Sequence, residues 1–170
     1  MSAQDVIIGT RALHLKQLKL QIAALKAENT RLREQNDELA NHFDLAMAAA
    51  VDLRALPPGG KMVVVDGWNL VLGSQKKART PEELVGRARE YLSANPCDCV
   101  WIVFDGPREN VVNDGRLRVS YTGGTGAHRA DRFIVDFLRM ARYCGLADKI
   151  EVRSADKDLL KNIKRISTVQ

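Results

Sequence analysis

With 170 residues, 45% hydrophobic and 28% charged, the chain holds enough apolar material for one packed domain plus an appendage. It has no apolar run near the ~20 residues that cross a bilayer, and no basic stretch, apolar core and cleavage site at its start, so the expectation is a cytoplasmic protein with no membrane partner. The formal charge of +5 lies wholly after residue 60, because residues 1–60 hold seven basic and seven acidic side chains; that surplus suits a polyanionic partner or a solvated basic surface equally.

Residues 15–46 carry heptads. With Leu15 at position a, Ile22, Asn29, Asn36 and Phe43 follow at a, and Leu18, Leu25, Leu32, Leu39 and Ala46 fall at d. Leucine at d, with Ile and Asn at a, predicts a parallel two-stranded coiled coil, the buried asparagines setting register. Glu28 at g and Arg33 at e suit an interchain pair. Leu13 and Leu20 at f leave open a helix folded back on its own domain. The alanine-rich stretch up to residue 56 continues the helix, and Pro57-Pro58-Gly59-Gly60 ends it. Residues 1–56 are therefore expected as a dimeric stalk, 57–60 as a linker and 61–170 as a globular domain.

Met62-Val63-Val64-Val65-Asp66 reads as a strand buried on both faces and ending in an acid. Residues 67–80 read as a loop holding Lys76, Lys77 and Arg79. Thr80-Pro81-Glu82-Glu83 starts a helix that Asn95-Pro96 stops. Residues 99–104 form a second buried strand, followed by Asp105. After polar residues 108–116, residues 117–121 are a third strand, and Gly123-Gly124-Thr125-Gly126 a flexible loop or phosphate cradle. A helix opens at residue 127 or 128 and ends at Gly145. Residues 149–153 are a fourth strand, 159–163 a short helix and 165–169 a last strand. Alternating strands and helices predict an α/β fold with a mainly parallel sheet. The cysteines, Cys97, Cys99 and Cys144, are odd in number and read as reduced thiols rather than a disulfide or zinc framework.

Strand ends thus collect acids: Asp66, Asp105, and Asp156 with Asp158, while Asp131 lies early in a helix after another strand-end loop. Any one of them is equally a turn former or helix cap. Together, on one rim, they repel one another and call for a cation; hard oxygen ligands suit Mg²⁺ or Mn²⁺. A metal-activated water attacking a phosphodiester is the chemistry such a cluster performs. Asn69 would steady a carboxylate or a water. Lys76, Lys77, Arg79, Arg108, Arg129, Arg132 and Lys157 are candidate phosphate contacts, with His128 beside them. Trp68 either stacks a base or packs under the first loop.

These motifs resemble the PIN-like nuclease superfamily, in particular its NYN branch and the YacP-like ribonucleases. The apolar strand into D-G-x-N is Val63-Val64-Val65-Asp66-Gly67-Trp68-Asn69; the F-D strand end is Phe104-Asp105. The A-D helix start is Ala130-Asp131, continuing as Asp131-Arg132-Phe133-Ile134-Val135, and the S/T-x-D segment is Ser154-Ala155-Asp156. The resemblance covers residues 61–170. It implies a three-layer α/β/α domain that cleaves single-stranded RNA, with Asp66, Asp105, Asp131 and Asp156 as metal-binding catalytic acids and Asp158 a further acid. Where several relatives have two adjacent acids at the helix start, this chain has Ala130-Asp131. The alternative is a catalytically weak RNA-binding module recruited to a partner complex through its coiled coil; a third reading is a nucleotide-binding or phosphatase-like α/β domain.

Overall fold

The computed structural model describes residues 3–72, 78–106, 112–123 and 128–168. Two compact units divide the chain, residues 1–39 and 40–170. The first is helix throughout its described part, the leading portion of α1 (Ala3–Ala55). From residue 13 its apolar side chains face solvent, including Leu15, Leu18, Ile22, Leu25, Leu32 and Leu39 of the heptad positions. Glu28 pairs within the helix with Arg31 at 2.6 Å.

The second unit is an α/β sandwich. Its elements are β1 (Met62–Asp66), α2 (Gly67–Leu72), α3 (Pro81–Ala94), β2 (Cys99–Phe104), β3 (Val112–Asp114), β4 (Leu117–Tyr121), α4 (Arg129–Tyr143), a 3-10 turn (Ala147–Lys149), β5 (Ile150–Arg153) and α5 (Lys157–Thr168). The five-stranded sheet runs β3-β4-β2-β1-β5. All pairs are parallel except the β3–β4 hairpin. Strands β1 and β2 are buried along their whole length, as expected for central strands covered on both faces.

Alternation along the strands feeds two cores. Met62, Val64, Trp101 and Val103 face α4, α5 and the last turns of α1; Val63, Val65, Val100 and Ile102 face α2 and α3. Trp101 anchors the first core, its ring edge-on to Phe133 and Phe137 at 5.2 and 5.1 Å. Its indole N–H donates to the Ser120 hydroxyl at 3.0 Å, so the buried polar atom is satisfied.

Several expectations needed revision. The end of α1 belongs to the α/β unit: Ala46, Ala49 and Leu53 are buried in its core, the small alanines allowing close approach. Asp52 Oδ2 pairs with Arg118 at 2.6 Å. Pro57 to Gly60 therefore turns the chain inside this unit instead of joining two units, and a Cβ on Gly60 would lie 2.2 Å from the Cys97 carbonyl oxygen. The start of the expected loop 67–80 is helix α2, begun directly at the end of β1. Gly67 is required there, since a Cβ would sit 2.3 Å from the Phe104 ring. The expected strand 165–169 is wrong where described: α5 continues through residue 168, its apolar residues Leu159, Leu160, Ile163 and Ile166 keeping a helical period. The polar segment 108–116 contributes β3, and residues 147–149, counted partly as strand, form the 3-10 turn. By contrast α3 starts as expected, Thr80 accepting from the Glu83 N–H at 3.2 Å with Pro81 first in the helix.

Candidate functional site

Chain direction explains where the acids gather. From β1 the chain steps to β2 and then β4 on one side; β5 returns to the other side of β1. The crossover helices lie on opposite faces, and the crevice beyond the carboxyl ends of β1 and β5 is the topological switch point at which α/β sheets bind ligands. Asp66 ends β1, and Ser154 and Asp156 follow β5.

A hydrogen-bonded chain spans this crevice. The Ser154 hydroxyl donates to Asp66 Oδ2 at 2.9 Å and accepts from the Asp156 N–H at 3.0 Å. Asp156 Oδ1 accepts from the N–H groups of Asp158 and Leu159 at 2.7 and 3.2 Å, which caps α5. Asp105 Oδ1 accepts from the Ala130 N–H at the start of α4 and lies 3.5 Å from the Thr122 hydroxyl. His128, the residue before α4, has φ +58° and no capping side-chain bond, so Asp105 supplies the anion that this helix end favours. Capping and site-building are thus combined in the same carboxylates.

Electrostatics separate Asp66 from the others. It is 4% exposed. Burial pushes its carboxyl up from 3.8 to about 6; the Asp131 charge adds to the rise, while Ser154 and the Asn69 amides oppose it. Asp131 is also raised, chiefly by burial and further by Asp156 and Asp105, with His128 opposing. His128 Nδ1 lies 3.2 Å from Asp131 Oδ2. The acids of β1, the β2 end, α4 and the β5 end therefore interact, as their strand-end positions suggest.

Among the described residues no group of three or more His, Cys, Asp or Glu side chains is close enough to hold a metal ion. A closed cage of protein ligands is therefore not preformed. The donor chemistry does fit a divalent cation held by one or two carboxylates with water and substrate phosphate, the habit of Mg²⁺: the donors are hard oxygens, the Asp131 charge raises the proton affinity of Asp66, and Asp156 and Asp105 raise that of Asp131.

The remaining candidates divide. Asn69 reaches Asp66, its backbone N–H at 3.4 Å from Oδ1. Trp68 packs edge-on to Phe104 at 5.1 Å and donates to the Asp105 carbonyl at 2.7 Å, so its role is packing and holding the β2 end. Arg129 is buried at 6% exposure, its place at the helix start turning it inward, and is not a surface phosphate contact. Arg132 and Lys157 are exposed, and Arg132 lines a hollow of about 500 Å³ with His128, Asp131, Asp156 and Asp158. Arg79, at the head of α3, donates its N–H to Glu83. Lys76, Lys77, Arg108 and the loop 124–126 lie outside the described residues. Ser154 is a site residue that the acid pattern alone does not single out, although a hydroxyl two positions before Asp156 is the signal for such a turn.

Fold and site define a mixed α/β protein with a mostly parallel five-stranded sheet, preceded by a long helix. No family model matches the chain, and no curated protein or solved structure matches it significantly.

Proposed function

We propose that the α/β unit is a PIN-like, NYN-type endoribonuclease that hydrolyses single-stranded RNA with the help of Mg²⁺ or Mn²⁺. The observation that carries this reading is Asp66: a buried carboxylate at the switch point, facing Asp131 and linked through Ser154 to Asp156. Such a group is costly to keep in a fold without use, and perturbed carboxylates in a cleft mark functional sites.

A bound divalent cation would polarise water and neutralise charge growing on the phosphodiester. Asp66 and Asp131 would hold it, with Asp105 and Asp156 facing them. The Ser154 hydroxyl orients Asp66 by donating to Oδ2. Asn69 steadies the opposite oxygen. His128, exposed and 3.2 Å from Asp131 Oδ2, helps orient that carboxylate. Arg132 and Lys157 attract the phosphate backbone.

The second reading, a catalytically weak RNA-binding module, draws on the absence of a preformed ligand trio among the described residues. Incubating labelled single-stranded RNA with Mg²⁺, Mn²⁺ or EDTA, for the natural protein and Asp66→Asn, separates the two. Metal-dependent cleavage lost in Asp66→Asn supports the nuclease; binding without cleavage selects the module; cleavage persisting in EDTA and in the variant rejects the metal–acid mechanism.

The exposed heptad leucines support a homodimer through a parallel coiled coil. A lone helix gains little stability from propensity alone, and two copies would bury the a and d side chains against each other.

A further inference from the structure

A second feature extends away from the acids, along α4 and α5. The hollow beside Asp131 and Asp156 shares Val135, Arg139 and Asn162 with a neighbouring hollow of about 700 Å³, lined further on by Arg142, Tyr143, Arg165 and Ile166. The two are one groove. It begins at the acids and ends at the far end of α4, about 18 Å away at 1.5 Å per residue.

Its chemistry is uneven in a telling way. Among the described residues the far hollow is lined by Arg139, Arg142 and Arg165 and by no acid, whereas the near one sets Arg132 and Arg139 against Asp131, Asp136, Asp156 and Asp158. On α4, Arg132, Asp136, Arg139 and Tyr143 are all exposed and recur at spacings of four, three and four, one stripe of a helix. Tyr143 is 93% exposed, so its ring contributes almost nothing to the core. Arg139 pairs with Asp136 at 2.9 Å with both side chains more than 60% exposed; such a pair is weak and easily exchanged for a phosphate. Arg142 instead donates to the Ile166 carbonyl, tying the two helices together and setting the groove's width.

We infer that this groove is the track along which a single nucleic-acid strand is led to the acidic corner, its phosphates facing Arg132, Arg139 and Arg165 and one base stacking on Tyr143. The inference rests on the reading of the acids as a nuclease site and names how that site receives its substrate. An exposed aromatic offers a stacking face that only an unpaired base can use. At ~3.4 Å per stacked nucleotide the groove spans about five.

The test uses the full chain in EDTA, so that binding is read without turnover. Anisotropy of a fluorescein-labelled 12-mer of oligouridylate, its deoxy counterpart and an RNA duplex is measured at 50 and 200 mM salt. The expected result is that Arg139→Glu/Arg165→Glu weakens single-strand binding by about tenfold or more and shallows the log–log salt slope by roughly 1.4, two phosphates' worth. Tyr143→Ala weakens it about fivefold or more with the slope unchanged. Circular dichroism melts, and the milder Arg139→Gln/Arg165→Gln pair, keep a folding defect from imitating this result. Variants that bind within twofold of the natural protein, or duplex binding as tight as single-strand binding, overturn the track. Loss of binding in these variants with no Mg²⁺-dependent cleavage by the natural protein upholds the track while rejecting the nuclease. A natural protein that binds no strand rejects both.

Discussion

Replacing Asp66 by Asn tests the electrostatic reasoning without any substrate. In the metal-free fold the Asp66 carboxyl is raised from 3.8 to about 6. A carboxyl that holds its proton more tightly when folded makes the folded state less stable as pH rises, because above pH 4 the unfolded chain binds fewer protons. The loss accumulates between about pH 4 and 6 and is complete above that. At 1.36 kcal/mol per pH unit of displacement it amounts to about 3 kcal/mol at pH 7. Asn cannot ionise and so escapes it, at the cost of about 1 kcal/mol for a less favourable hydrogen bond to Ser154. The expected gain for Asp66→Asn at pH 7.5 in EDTA is thus about 2 kcal/mol, or 4–8 °C in Tm. At pH 4.5 the gain should vanish or reverse. Asp131, raised in the same sense, leaves the variant a smaller residual slope. Asp98 and Glu83 are lowered, so their contributions are lost only as pH falls below the ordinary carboxylate range, outside this window. Calorimetric melts at half-unit steps from pH 4.5 to 7.5 make the measurement. A stability difference between natural protein and variant that stays constant over this range would refute the account of Asp66.

Four further outcomes are expected. Mg²⁺ or Mn²⁺ at about 100 times its Kd should stabilise the natural protein by about 2.7 kcal/mol at pH 7.5, and Asp66→Asn or Asp131→Asn should show less than half of that Tm shift. Gly67→Ala should destabilise by about 1–3 kcal/mol in urea melts, since the new methyl meets the Phe104 ring. Ser120→Ala should cost about 1–3 kcal/mol by leaving the buried Trp101 N–H without its acceptor, readable also as a change in tryptophan fluorescence. A peptide of residues 1–55 should sediment as a dimer at micromolar concentration, and Leu25→Asp should make it monomeric; a natural peptide that is already monomeric refutes the coiled coil.

Much of this architecture was legible in the chain because its signals are local. The run from Met62 to Val65, the stretch from Cys99 to Phe104, and the Thr80-Pro81 start each satisfy a short-range rule, and each forms the expected element. The segments that depart from the sequence expectation are those where a local rule loses to packing or has no force. Residues 67–72 follow directly on a strand, yet they coil because Asp66 accepts from the Asn69 N–H at the helix start and Gly67 lets the chain turn against Phe104. Residues 165–168 look like a strand by composition but continue the apolar stripe of α5. The alanines at 46 and 49 look like the tail of a stalk and instead fill the core beside Trp101.

The division is the same at the candidate site. Sequence by itself determined which residues carry acid at strand ends, the parallel α/β alternation, and the heptad stripe, because strand termination, turn chemistry and helical period are properties of neighbours along the chain. Only the tertiary structure decided that β5 returns beside β1, so that Ser154 bridges Asp66 and Asp156 across 88 residues. It likewise decided that Arg129 points inward while Arg132 and Arg139 line a groove with α5. Those outcomes depend on strand order and on which helix face meets the sheet, and burial of the two apolar cores sets both.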